Sequence, residues 1–130
     1  MATKKEIGSI GEGIACQFLL SKGFKILDRN YRKPWGEIDV IAQKGDLVRF
    51  VEVKTVSREI EFDGSREMEY RPEELVDRRK LKKIARTASL YMESHEDSRE
   101  FQIDVVGVIV DITSRKARCR LFEQVLEDNL

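Results

Sequence analysis

The sequence predicts an α/β fold with the element order αβββαββ, in which a central mixed sheet is flanked by helices. Three observations carry this expectation. Apolar residues recur at three- and four-residue spacing over 4–22 and again over 72–93, the period of a helix with one buried face. Between and after these stretches lie short apolar or alternating runs with the period of strands. Two of those runs are joined by Lys44-Gly45-Asp46, a short glycine-containing link that makes an antiparallel hairpin. A length of 130 residues suits one domain over 1–130 with one core.

The first helix places Ile7, Ile10, Ile14 and Phe18 in a stripe with Gly11 and Ala15 beside it, and Lys22-Gly23 supplies its stop. The glycines at 8, 11 and 13 point to close helix packing rather than a phosphate loop, since no strand precedes them and no Gly-Lys-Ser/Thr follows. FKILDRNYR (24–32) reads as a strand with imperfect alternation, ended by Pro34, Trp35 and Gly36. EIDVIAQ (37–43) and LVRFVEVK (47–54) form the hairpin. Residues 55–71 carry serine, glycine and many charges without periodicity, the pattern of a long mobile loop. Pro72 then opens a helix, with Glu73 and Glu74 at its positive end and Leu75, Leu81, Ile84, Ala85, Ala88 and Met92 on its apolar side. FQIDVVGVIVDI (101–112) and ARCRLFEQV (117–125) are the last two strands.

Composition narrows the function classes. The longest apolar run, VVGVIV at 105–110, is far too short to span a membrane. The N-terminal residues lack the apolar stretch of a secretion signal. Cys16 and Cys119 lie in apolar patterns without metal-ligand spacing, as small buried hydrophobes do, so a reduced cytoplasmic protein is expected. Lys plus Arg (24) equals Asp plus Glu (24), which gives no support for nonspecific binding of a polyanion. Charge is nonetheless segregated: Arg78, Arg79, Lys80, Lys82, Lys83 and Arg86 are clustered, and acids concentrate at 59–77, 93–100 and the C-terminal tail.

The hairpin carries the candidate chemistry. With Gly45-Asp46 as a two-residue loop, Lys44 pairs with Leu47, and counting back sets Ile41 opposite Phe50, Asp39 opposite Glu52 and Glu37 opposite Lys54. Two carboxylates and an ammonium would then share one face, while Ile38, Val40, Val51 and Val53 occupy the other. Carboxylates so close repel, and a hard divalent cation between them relieves this. Such an ion polarises a phosphate and acidifies a bound water. Lys54 would orient that water or stabilise charge on phosphorus. The same spacing also suits a solvated hairpin face with cross-strand ion pairs.

GEID at 36–39 and FVEVK at 50–54 resemble the D-x(n)-E-x-K signature of the restriction-endonuclease-like, or PD-(D/E)XK, nucleases, and the element order is similar to their core. More closely, GxxGExxA at 8–15, RNY at 29–31, GEIDVIA and FVEVKT look like the uncharacterised YraN-like bacterial family, from about residue 8 to DVVGV at 104–108. The resemblance implies metal ligation by Asp39, Glu52 and the Val53 carbonyl, with Mg²⁺ or Mn²⁺ as cofactor and Lys54 as catalytic lysine. Glu12 is similar in place to a metal-site glutamate of archaeal Holliday junction resolvases, and Glu37 belongs to the GEID motif without an assigned role. No Pro-Asp pair precedes the hairpin; residues 34–36 are Pro-Trp-Gly.

The expected activity is therefore metal-dependent hydrolysis of phosphodiester bonds in nucleic acid, DNA rather than RNA, with branched or damaged DNA as substrates. The alternative is a nucleic-acid-binding or adaptor module that keeps the fold without turnover. A third reading makes 55–71 a partner-recruiting loop or a dimer exchange, and the chain a monomer or homodimer without a membrane partner. Arg79, Lys83 and Arg86 share one side of the second helix and are candidates for phosphate contacts, or a solvated half-face. Trp35 is a candidate to stack on an unpaired base, or a core or rim residue. Asp104 is either a supporting acid or a buried hydrogen-bonded residue. His95 falls in a polar loop without an evident role.

Overall fold

The computed structural model describes residues 2–58 and 76–126. Helix α1 spans Lys4–Ser21, and strands β1, β2 and β3 span Lys25–Lys33, Gly36–Lys44 and Leu47–Ser57. Helix α2 spans Arg78–Ser94, followed by β4 (Phe101–Asp111) and β5 (Lys116–Phe122). The strands form one sheet in the order β1-β2-β3-β4-β5. Only β3 and β4 are parallel; the other neighbours are antiparallel. The sheet is thus mixed and the αβββαββ order of the restriction-endonuclease-like α/β class is present.

Two cores lie on opposite faces of the sheet. Under α1, Ala15, Cys16 and Leu19 pack on Val40, Val51, Val106 and Val108; under α2, Leu81, Ile84, Ala88 and Met92 pack with Ile41, Phe50, Ile103 and Val105. No helix among the described residues is long and apolar enough to cross a membrane.

Thr3 starts α1 as a capping box: its hydroxyl accepts from the Glu6 N–H, and the Glu6 carboxylate accepts from the Thr3 N–H. The stripe that α1 buries differs from the expected one. Gly11, Ala15, Cys16 and Leu19 face the sheet, whereas Ile10 is 42% exposed. The cause is size. A side chain at Gly11 would collide with Thr55 of β3, so the helix brings its small-residue face closest to the strands and the isoleucines flank it.

Three boundaries also move. Residues 55–57 continue β3, and the expected loop from 59 to 71 lies outside the described residues. The expected helix start at 72–75 lies outside them too, but Val76 and Asp77 are not helical. Asp77 is the N-cap instead, its side chain accepting from the Lys80 N–H at 2.9 Å. The last strand ends at Phe122 rather than 125. In β1 the alternation is interrupted by a register shift between Ile26 and Asp28, and again by Asn30 at φ 51°.

Candidate active site in a cleft between the first helix and the forked hairpin

The hairpin turn is the expected two-residue one, with Lys44 paired to Leu47, Ile41 to Phe50 and Val40 to Val51. There the β2–β3 ladder ends, while β2 continues beside β1, pairing Ile38 with Tyr31 and Glu37 with Arg32. Ile38 packs in the α2-side core and Val40 in the α1-side core, although residues two apart in a regular strand share a face. The β1–β2 ribbon therefore twists at Asp39, opposite the left-handed Asn30, and forks away from β3.

The fork corrects two inferences drawn from counting. Ile38 and Val40 do not share a face. Glu37 does not meet Lys54; its carboxylate takes the Arg32 guanidinium at 2.7 Å on the ribbon's exposed side. That pair is solvent-exposed at both ends and contributes little to stability.

Where the strands part, backbone groups lose their ladder partners and Asp39 supplies one. Its Oδ2 accepts from the Val53 N–H at 2.8 Å. The same carboxylate adjoins Glu52 and Glu12 of α1 closely enough to raise both. Glu12 is half-buried because it neighbours the buried Gly11–Ala15 line.

A cleft of about 1060 Å³ opens here, lined by Glu12, Asn30, Asp39, Glu52, Val53 and Lys54 among others. Lys54 is exposed at its edge. Burial, and then the adjacent Asp39 carboxylate, push the Glu52 carboxyl up to about 8, against the lowering influence of Lys80. Burial and Asp39 raise Glu12 as well.

Lys80 of α2 is the residue that motif reading did not single out. Its Nζ lies 3.3 Å from Glu52 Oε2. One signal was available: Lys80 sits four residues before Ile84 and one before Leu81, so it extends the helix's buried stripe with a charge. Of the expected phosphate contacts, Arg79 and Lys83 line a second, smaller cleft beside Lys80, and Arg86 is exposed outside it.

Asp104 takes no part in the acidic cleft. It is fully buried and accepts from Arg49 at 2.8 Å, from Gln102 Nε2 at 2.8 Å and from the Gln124 N–H at 2.9 Å. This is the structural one of its two expected roles. His95 caps the end of α2 and stacks on Tyr91, with ring centroids 4.0 Å apart.

Among the described residues, no group of three or more His, Cys, Asp or Glu side chains is placed to hold a metal ion. Asp39 and Glu52 stand as a pair with Glu12 alongside. A pair fits magnesium, which takes one or two carboxylates and keeps several waters. Two adjacent carboxyls, with Glu52 buried and raised, are also a donor set whose repulsion a divalent cation relieves.

The sequence of residues 11–108 matches the model of the "Uncharacterised protein family UPF0102". It is similar to a UPF0102 protein of Dictyoglomus thermophilum, 42% identical over 107 residues that cover 82% of this chain and 84% of the relative. A UPF0102 protein of Campylobacter jejuni is 38% identical over 105 residues, covering 81% and 85%. One of Campylobacter lari is 38% identical over 104 residues, covering 80% and 84%.

Proposed function

The chain belongs to the UPF0102 family, the YraN-like group of the sequence resemblance, and on its geometry we propose that it is a Mg²⁺- or Mn²⁺-dependent nuclease of the PD-(D/E)XK kind that hydrolyses phosphodiester bonds in DNA. One observation carries the reading. The Asp39 and Glu52 carboxyls meet at a fork in the sheet, in an open cleft that Lys54 also lines.

Asp39, Glu52 and the Val53 carbonyl would hold the ion. When bound, it supplies Lewis-acid polarisation of a phosphate and a more acidic water. The chain's own groups do the rest. Val53 N–H fixes Asp39 through Oδ2, so one ligand is held in place by backbone. Lys54, exposed at the cleft edge, meets the phosphate and stabilises its added charge. Glu12, raised by burial and by Asp39, would accept or return a proton at the cleft wall.

The test is cleavage of single-stranded, duplex, flap and four-way DNA, and of RNA, with either metal. Asp39→Ala and Lys54→Ala are each expected to slow cleavage by about 100-fold or more. If no substrate is cut the proposal fails, and if Asp39→Ala cuts like the parent the site is misassigned.

A second reading, a nucleic-acid-binding or adaptor module without turnover, is favoured by Lys80, which already places a cation on Glu52. Calorimetric binding of Mg²⁺ that Glu52→Gln abolishes would argue against it.

A further inference from the structure

The second cleft, of about 440 Å³, lies between the β1–β2 turn and the start of α2. Lys33, Pro34 and Gly36 form one wall and Arg79, Lys80 and Lys83 the other. Its acids are already engaged. Glu37 takes Arg32 at 2.7 Å, and Asp77 caps α2. Among the described residues Arg79 and Lys83 have no carboxylate partner. Lys33 rests over the Tyr31 ring, 5.5 Å from its centroid. A chain with no net charge therefore carries a concentrated positive field here.

An exposed indole adjoins that cleft along the chain, outside its lining. Trp35, flanked by the lining residues Pro34 and Gly36, is 47% exposed. Large aromatics left in water beside cations are the elements from which proteins build sites for unpaired strands: each base offers a π-face to stack, and the cations track the phosphates. A base within a duplex has both faces covered by its neighbours, so a duplex offers the indole only its ends.

Lys80 joins this cleft to the acidic one, since it lines the basic cleft and reaches Glu52 in the acidic one.

We propose that the β1–β2 turn and the first turns of α2 form a binding subsite for an unpaired nucleic-acid strand, with a base stacked on Trp35 and phosphates on Lys33, Arg79 and Lys83. The strand then runs over Lys80 toward the acidic cleft. Only that destination rests on the nuclease reading; binding itself requires neither metal nor turnover.

Trp35 is the chain's one tryptophan, so its fluorescence reports on the subsite directly. Metal-free protein in chelator is titrated with oligothymidylate, oligouridylate and a blunt duplex of equal length. Single strands are expected to quench the emission, and the duplex to need at least about tenfold more, the stacking energy of one base. Affinity should fall with salt at a log–log slope near −2, from about three phosphates at −0.7 each. Lys83→Gln should reduce that slope by about 0.7. Trp35→Ala, followed with a labelled strand, should weaken binding about tenfold.

Quenching by either strand supports the subsite. No quenching, equal quenching by duplex, or a slope unchanged in Lys83→Gln overturns it. The two readings fail separately: strand binding without metal-dependent cleavage sinks the nuclease and leaves the subsite, while cleavage without quenching does the reverse.

Discussion

At the scale of single residues, Glu52 shows how a site group opposes stability. Its carboxyl titrates near 8 in the fold, against 4.5 as the ordinary value. The stability it contributes is therefore complete below pH about 4.5 and is lost as pH rises through about 8. Replacement by an uncharged isostere removes that loss. Glu52→Gln is expected to melt like the parent at pH 4.5 and clearly higher than it at pH 8.5, because a carboxyl raised from 4.5 to about 8 costs the parent on the order of a few kcal/mol between those values. Thermal melts across that range, without metal, check it; a variant less stable than the parent at pH 8.5 contradicts the assignment. If Glu52 holds the proposed ion, magnesium at about a hundred times its Kd is expected to reverse the order, adding about 2.7 kcal/mol to the parent and nothing to the variant.

At the scale of elements, the same small-residue face that docks α1 also sets the cleft wall. Gly11→Ala drives a methyl into Thr55, and the helix must lift from β3. The expected cost is about 1–3 kcal/mol of unfolding free energy, measured with urea, together with loss of any cleavage as Glu12 moves off Asp39. The element scale also explains which features the sequence made legible. Helix and strand periods were readable because each follows from its own residues, and the turn at Gly45-Asp46 correctly set the register as far as Val40 and Val51. The fork was not readable. It depends on Asn30 adopting φ 51° in the neighbouring strand, and alternation rules assume a regular ribbon. Counting therefore brought Asp39 and Glu52 together for an incomplete reason and misplaced Glu37. The buried line of α1 was misjudged because a hydrophobic stripe says which residues are apolar, not which are small enough to approach a sheet. Lys80 was missed because its contact with Glu52 is tertiary.

At the scale of the whole molecule, Arg49 ties distant parts of the chain. From β3 it binds Asp104 on β4 and Glu123 beyond β5, each at 2.8 Å, and lies 5.1 Å above the Phe24 ring. Asp104 is fully buried and Arg49 nearly so, and removing the acid leaves the cation only the exposed Glu123 carboxylate and strips Gln102 and the Gln124 N–H of their acceptor. Asp104→Ala is expected to cost about 3 kcal/mol of stability while leaving the acidic cleft intact, so residual cleavage per folded molecule should match the parent. Denaturant unfolding and active-fraction assays separate the two effects.

The lone parallel pair has a kinetic consequence. β1, β2 and β3 join through tight turns, whereas β3 finds β4 only after closing a loop that brings Val48 to Phe101. Local pairings form fast and distant ones wait on loop entropy, so the three-strand meander is expected to form by the rate-limiting step and the β3–β4 pairing to follow it. Asp39 and Glu52 are thus drawn together by the early part of the chain, while Lys80 travels with the late-arriving crossover. Stopped-flow refolding should show Ile41→Val slowing folding and Val108→Ala chiefly speeding unfolding. The opposite assignment would mean that the acidic pair assembles last.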